Sequence, residues 1–435
     1  MRLFCFLLSV FCIVSGAYTQ QRPTLSDEAL LDTVQRATFR YFWDFGHPVS
    51  GLSRERSNQT FGYGNEVVTT GGTGFGVMCI IVATDRKWIT RAEAVERLLK
   101  MVIFLSKSDS YHGVFPHWLN GETGKTIPFS RKDDGGDLVE TSYLMQGLLC
   151  VRQYFDADSP EEGELRGRIT GLWEETEWNW HTAGTNNQLY WHWSPNNGWA
   201  MNFELRGWNE CLITYVLAAS APRYPISTQV YEKCWAQSDH FKNGKSFYGV
   251  KLPLGFDYGG PLFFSQYSFL GIDPHGLKDR YADYWEQNVN HTLINYKHCV
   301  LNPLKYKGYS ANCWGLTASD NHEGYNAHSP DNDLGVITPT AALSAFPYMP
   351  TESMAALRHF YFDLGDKIWS PYGFVDAFNE SKNWYADSHL AIDQGPIVVM
   401  IENYRTGLLW RLFMEVPEVK AGMQKLGFES PAFKK

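Results

Sequence analysis

Asp133, Asp137 and Glu140 place three carboxyl groups in the run Arg131-Lys132-Asp133-Asp134-Gly135-Gly136-Asp137-Leu138-Val139-Glu140. Their i, i+4, i+7 spacing predicts that they stack on one side of a helix. Apolar Leu144, Met145, Leu148 and Leu149 follow, so that helix runs into a core. Like charges this close repel, and burying an unpaired carboxylate is expensive. General acid/base chemistry or a metal site is the chemistry such a cluster serves. A helix start favours acidic residues through its dipole, which accounts for Asp133 or Asp134 but not for Glu140, one turn inside.

Two further carboxyl groups sit at helix starts. Glu210 follows a Gly207-Trp208-Asn209 corner and opens an apolar stretch. Held among Trp208, Cys211 and Tyr215, its pKa should rise, which suits a general acid near neutral pH. Asp393 lies in Ala391-Ile392-Asp393-Gln394-Gly395-Pro396, with Pro396 suited to a first helical turn. Both positions also suit simple helix caps. Glu204 with Arg206, and Glu402 with Arg405, read as structural pairs.

Other motifs carry less. Asp133 to Asp137 spells DDxxD, the magnesium–diphosphate motif of all-α terpenoid synthases, but no second metal motif accompanies it. Thr70-Gly71-Gly72-Thr73-Gly74-Phe75-Gly76 lacks the strand and Gly-Lys-Ser/Thr of a nucleotide loop, and reads as a close backbone approach. Asp331-Asn332-Asp333 lacks EF-hand spacing. His112, His117, His181 and His192 lie among Trp and Tyr and suit hydroxyl hydrogen bonding. There is no G-x-S-x-G elbow. No metal or cofactor is expected.

The elements that must hold these groups are helical. Periodicity predicts helices over 27–43, 74–85, 91–106, 137–154, 162–177, 210–219, 227–237, 277–296, 338–345, 352–362 and 396–410. Without βαβ alternation, this pattern points to an all-α toroid. Short hairpins are expected at Tyr111–Phe129, with its Asn120-Gly121 turn, and at Leu189–Met201. Arg2, the apolar run Leu3 to Val14 and Ser15-Gly16-Ala17 read as a signal peptide over residues 1–20. Residues 22–435 read as one domain, exported to the periplasm or beyond, monomeric and without a membrane span.

Composition narrows the partner. The 435 residues include 16 Trp, 24 Tyr and 27 Phe, more rings than a core needs. Carbohydrate clefts use such rings as stacking platforms. A net charge of -9 argues against nucleic acid. There is no C-x-x-C pair, and Cys299–Cys313 is the only disulfide worth considering.

Several segments together resemble the glucoamylase-like proteins of glycoside hydrolase family 144. They are Tyr41-Phe42-Trp43-Asp44-Phe45, Asp134 to Thr141, Gly207-Trp208-Asn209-Glu210, Tyr372 to Asn379, Ile392 to Pro396 and Glu402 to Gly407. The resemblance implies an (α/α)6 barrel that cleaves β-1,2-glucan with inversion, internally or from the chain end to release sophorose. It implies that Asp133, Asp137, Glu140, Glu210 and Asp393 line the cleft. On this reading Glu210 is the acid. Asp137 is the first choice of base, with Asp133, Glu140 and Asp393 as competitors. Trp208, Trp193 and Tyr190 would stack on sugar rings, and Arg54, His117 and Gln394 would meet hydroxyls. The rival readings are an α-glucan hydrolase on the same barrel, a non-catalytic glycan-binding protein, and the metal-dependent terpenoid reading.

Overall fold

The computed structural model describes residues 24–58 and 64–434. The expected signal segment lies outside the described residues. The helices are α1 (Asp27–Trp43), α2 (Thr70–Asp85), α3 (Arg91–Leu105), α4 (Leu138–Tyr154), α5 (Pro160–Glu175), α6 (Leu212–Ser220) and α7 (Thr228–Val230). They continue as α8 (Tyr284–Leu301), α9 (Pro339–Leu343), α10 (Pro350–Arg358), α11 (Gly365–Ile368), α12 (Ala391–Thr406), α13 (Leu408–Met414) and α14 (Pro417–Lys425). Capping chemistry fixes several starts. The Ser26 hydroxyl accepts the Ala29 N–H at α1, and Thr90 with Glu93 forms a reciprocal capping box at α3. Asp283 accepts the Trp285 and Glu286 N–H groups, so α8 begins at Tyr284 rather than near Leu277.

Six elements form an inner ring: α2, α4, α6, the short 3₁₀ turns within 262–270, α9 and α12. α2 packs on α4, α4 on α6, and α6 on the 3₁₀ turns. Gln266 donates to the Ala341 carbonyl at 2.9 Å and ties those turns to α9. α9 packs on α12, and α12 closes the ring on α2. α1, α3, α5, α8 and α10 pack outside. This is the all-α toroid expected from the helical pattern. Every residue of α2 from Thr70 to Thr84 is buried, as is α4 from Leu138 to Val151. Such helices have no polar face because other helices surround them.

The glycine-rich run makes the closest crossing. A Cβ on Gly74 would stand 2.1 Å from the Tyr143 carbonyl oxygen, and one on Gly147 would stand 2.1 Å from the Gly74 carbonyl oxygen. The run is therefore a helix–helix contact, although a short strand (Val67–Thr69), which the sequence does not lead one to expect, directly precedes it.

Short strands brace the loops at one end of the ring. β1 (Val67–Thr69), β2 (Trp118–Asn120) and β3 (Thr126–Ile127) form an antiparallel sheet, so the first expected hairpin is present. At the second, the 189–201 loop turns back on itself through antiparallel bridges of Ser194 with Gly198 and Tyr190 with Glu204. In addition β4 (Gly136–Asp137) pairs with β5 (His192–Trp193), which lays that loop over the start of α4. That pairing also corrects the one-helix-face expectation. Asp133 sits in a bridge with Ser130, Asp137 is extended, and α4 starts only at Leu138. Gly135 permits the approach, because a Cβ there would meet the Trp193 carbonyl oxygen at 2.3 Å.

Other expectations also change. α12 already begins at Ala391, so Pro396 lies inside it. Glu402 pairs with Arg86, at 2.6 and 3.1 Å, while Arg405 turns to Gln35 and Glu28. Cys299 and Cys313 are separate buried thiols. Asp333 accepts from Tyr309 at 2.7 Å and lies 2.8 Å from His298 Nε2, which gives it a structural place.

Gly147→Ala should destabilise the chain by roughly 1–3 kcal/mol through overpacking at the α2–α4 crossing. Gly163→Ala, in α5 with no atom within 4 Å of the added Cβ, should instead be neutral or stabilise by up to about 1 kcal/mol. Urea unfolding midpoints of the two variants check this; equal shifts would contradict the crossing.

Candidate active site

The N-terminal ends of α2, α4, α6 and α12 meet at one cleft of about 1050 Å³, lined among others by Glu140, Glu210, His117, Trp191, Tyr267 and Arg56. Each expected carboxyl group is delivered there or just behind it by the start of an inner helix or the loop that precedes one.

Asp137 is the hub behind the cleft. Its Oδ1 accepts from Val139 N at 3.0 Å, Glu140 N at 2.9 Å and Trp191 Nε1 at 2.9 Å. Its Oδ2 lies 3.0 Å from His117 Nδ1 and 3.4 Å from His192 Nε2. Asp137 is 0% exposed. Burial pushes its carboxyl up, but the hydrogen bonds from His117 and His192 overcome this and hold it well below the usual carboxylate range. Asp133, also buried, faces His192 Nε2 at 3.1 Å. Burial alone would lower both imidazole pKa values. The surrounding carboxylates instead raise each to about 9, so both rings are cationic near neutrality.

Glu140 and Glu210 line the cleft. Glu140 Oε2 accepts the Gly71 N–H at 2.7 Å, and Oε1 lies 3.9 Å from His117 Nε2. Gly71 must be glycine here, since a Cβ would come within 2.5 Å of the Glu140 carboxyl. Burial raises Glu140 to about 7 against the pull of His117. Glu210 sits just before α6, and its buried Oε2 has no hydrogen-bond partner among the described residues. Burial, with Glu140 adding repulsion, raises Glu210 to about 7. It is not a helix cap: Asn209 Oδ1, not Glu210, accepts the Cys211 N–H.

A second acidic group forms at α12. Asp393, in the first turn, lies 3.4 Å from the Tyr267 hydroxyl and is raised by burial to about 7. Beside it stand Asp376 and Asp320. Asp376 Oδ2 accepts the Asp320 N–H at 2.7 Å. Arg56 forks onto Asp320 at 3.0 and 3.2 Å and reaches Glu55 at 3.0 Å. Sequence reasoning missed Asp376, Asp320, Arg56 and Glu55 as site residues. Asp376 lay in plain view in the Tyr372 to Asn379 run. Glu55 and Arg56 sit in a short loop and Asp320 in the short strand Ala318–Asn321, with no periodicity to mark them.

The expected sugar platforms need correction. Trp208 is fully buried among Trp235, Phe241, Phe269 and Tyr284, so it packs the core. Tyr190 is 9% exposed and packs on Trp199. Trp193 is half-buried in an outer group with Tyr111, His112 and Trp180. Besides Tyr143 and Tyr267, the rings that line the cleft are Trp118, Phe129, Trp191, Phe263 and Tyr325, with Phe129 and Tyr325 about half exposed. Arg54 is spent on the Asn65 and Phe45 carbonyls. Gln394 clamps the Tyr372 and Phe374 carbonyls from a buried position. His117 alone of that polar set lines the cleft, stacked on Phe129 at 4.2 Å.

Residues 202–417 match the family described as "Glycoamylase: Putative glucoamylase". A "putative glucoamylase" from Bacteroides uniformis is 59% identical, with a TM-score of 0.92, covering 94% of this chain and 100% of that one. An endo-β-1,2-glucanase from Chitinophaga pinensis, solved with sophorotriose and glucose, is 55% identical with a TM-score of 0.92, covering 94% and 100%. An exo β-1,2-glucooligosaccharide sophorohydrolase (non-reducing end) from Parabacteroides distasonis is 45% identical over 92% of this chain, which spans 58% of that relative's length. With relatives matched over their whole length at more than half identity, the chain belongs to the glucoamylase-like family.

Proposed function

We propose that this chain is a β-1,2-glucan hydrolase of glycoside hydrolase family 144 that acts with inversion. The observation that carries the chemistry is Glu210: a buried carboxyl in the cleft wall with one oxygen lacking a partner among the described residues and a pKa raised to about 7. A carboxyl in that state keeps its proton near neutrality and can give it to a leaving glycosidic oxygen. The linkage assignment is supported by the similarity to the Chitinophaga and Parabacteroides enzymes. In this reading residues 1–20 export the chain, and residues 22–435 work as one unit and as a monomer.

Inversion needs a second carboxylate that activates water from the opposite side, usually ~6.5–9.5 Å from the acid. Asp137 is saturated by five donors and held ionised, so it has neither a lone pair for water nor the basicity to take its proton. Asp133 is turned to His192. Glu140 stands on the acid's own side, close enough to raise Glu210. Asp393 belongs to the other acidic group, beyond Tyr267, and takes the base's role. A 1→2 linkage bends the chain, so the water connects to Asp393 directly or through a sugar hydroxyl. Phe129, Trp191 and Tyr325 offer ring faces to the sugars, and Arg56 with Glu55 offers groups for hydroxyls.

Glu210→Gln should lower turnover of β-1,2-glucan by at least ~10³-fold, since it removes the acid outright. Glucan binding measured by calorimetry should stay within about threefold. Near-normal turnover by this variant would sink the assignment.

The pH profile of kcat/KM should be a bell centred near pH 7. Below it, protonation of Asp393 removes the base; above it, ionisation of Glu210 removes the acid. A profile flat from pH 5 to pH 9 would contradict both roles. Sugar chromatography should show release from linear β-1,2-glucan and none from starch. Release from starch alone would favour the α-glucan reading, and binding without release would favour a glycan-binding protein.

A further inference from the structure

Asp376 and Asp393 stand within hydrogen-bonding reach of each other, although both are acids. They are 4% and 3% exposed. Each uses one oxygen on a donor: Asp376 Oδ2 takes the Asp320 N–H at 2.7 Å, and Asp393 Oδ1 lies 3.4 Å from the Tyr267 hydroxyl. The other two oxygens, Asp376 Oδ1 and Asp393 Oδ2, are buried and have no donor among the described residues. Two ionised carboxylates cannot share such a site, whereas one proton between them satisfies both orphaned oxygens.

We infer that Asp376 is a positioning residue: its carboxyl keeps a proton and donates it to Asp393, holding the base ionised and fixing which oxygen it presents to the attacking water. This rests on the reading of Asp393 as base. The surroundings decide which partner is neutral. The Asp376 carboxyl is flanked by Asp393 and Asp320, and burial together with their charges pushes it far up. Asp393 also feels Asp320 and Glu55, but the Asp376 and Tyr267 hydrogen bonds pull it back to about 7. Arg56 spends its charge on Asp320 and Glu55, the two acids that face the pair from the outside. Asp376 is held on its own strand-like segment by its N–H to the Ser388 carbonyl at 2.8 Å. Its carboxyl direction is therefore fixed by backbone that does not belong to α12.

Asparagine can replace the protonated form in this geometry. Its amide oxygen would accept the Asp320 N–H, and its NH₂ would face Asp393. Alanine supplies neither. Asp376→Asn should keep kcat on β-1,2-glucan within about tenfold of the parent, with the acidic limb of the kcat/KM profile within about half a unit. Asp376→Ala should lose ~10²-fold or more in kcat near pH 7 with KM little changed, and its acidic limb should move upward by about one unit or more. The sign follows from Asp393 losing the donor that favours its ionised form. If Asp376→Ala does not fold, the asparagine variant decides alone: full loss of activity in a chain that melts normally would overturn the inference. An alanine variant with the parent's pH profile would also overturn it. Asp393→Asn separates the two readings. If it turns over normally, the base assignment has failed. If it is inactive while both Asp376 variants keep the parent profile, only the role of Asp376 has failed.

Discussion

The saturated carboxylate of Asp137 is the contact on which the rest of the site depends. It caps α4, and through the same two oxygens it holds Trp191, His117 and His192. Trp191 and His117 are cleft walls, and Glu140 hangs one turn further along the helix that Asp137 caps. A carboxyl buried at a helix N-terminus is pulled in two directions. Burial favours the neutral acid, while donors and the helix dipole favour the anion. At Asp137 the donors win. At Glu210, where one oxygen meets no donor, burial wins. One architecture thus yields a fixed anion at Asp137 and a carboxyl raised to about 7 at Glu210.

The ring of inner helices explains why the acids converge. α2, α4, α6 and α12 all start at the cleft, so a residue at or just before each first turn faces it. Close packing of the ring demands glycine where backbones touch, at Gly74 and Gly147, and where the Glu140 carboxyl presses in, at Gly71. The third of these puts a backbone N–H on Glu140, so a packing constraint also tunes a cleft carboxyl. Tyr267 feels the charge of both acidic groups: its hydroxyl lies 3.4 Å from Asp393, and Glu140 and Asp376 also act on it.

Much of this was legible in the sequence because it is local. α1 was placed to the residue, and the acids at helix starts were found by type and context. What stayed hidden depends on contacts far apart in the chain. Asp133, Asp137 and Glu140 were expected on one helical face, but a two-residue strand pairing with 192–193 pulls the first two off the helix. Trp208 read as a platform, two residues before Glu210, yet its ring turns into the core. Arg54 and Arg56 are two residues apart, and only the fold shows that the first serves loop carbonyls while the second pairs with Asp320, far away in the chain. Asp376 gave no signal of its own, because its meaning lies in facing another acid.

The central claim is that burial keeps Glu210 protonated near neutrality while Asp137 remains ionised. Titration of the ¹³C-labelled carboxyl groups by NMR, with the Glu210 resonance assigned by its loss in the Glu210→Gln chain, measures this without recourse to activity. The account predicts a Glu210 midpoint at about 7. A midpoint near 4.5, the value of an unperturbed glutamate, would contradict it.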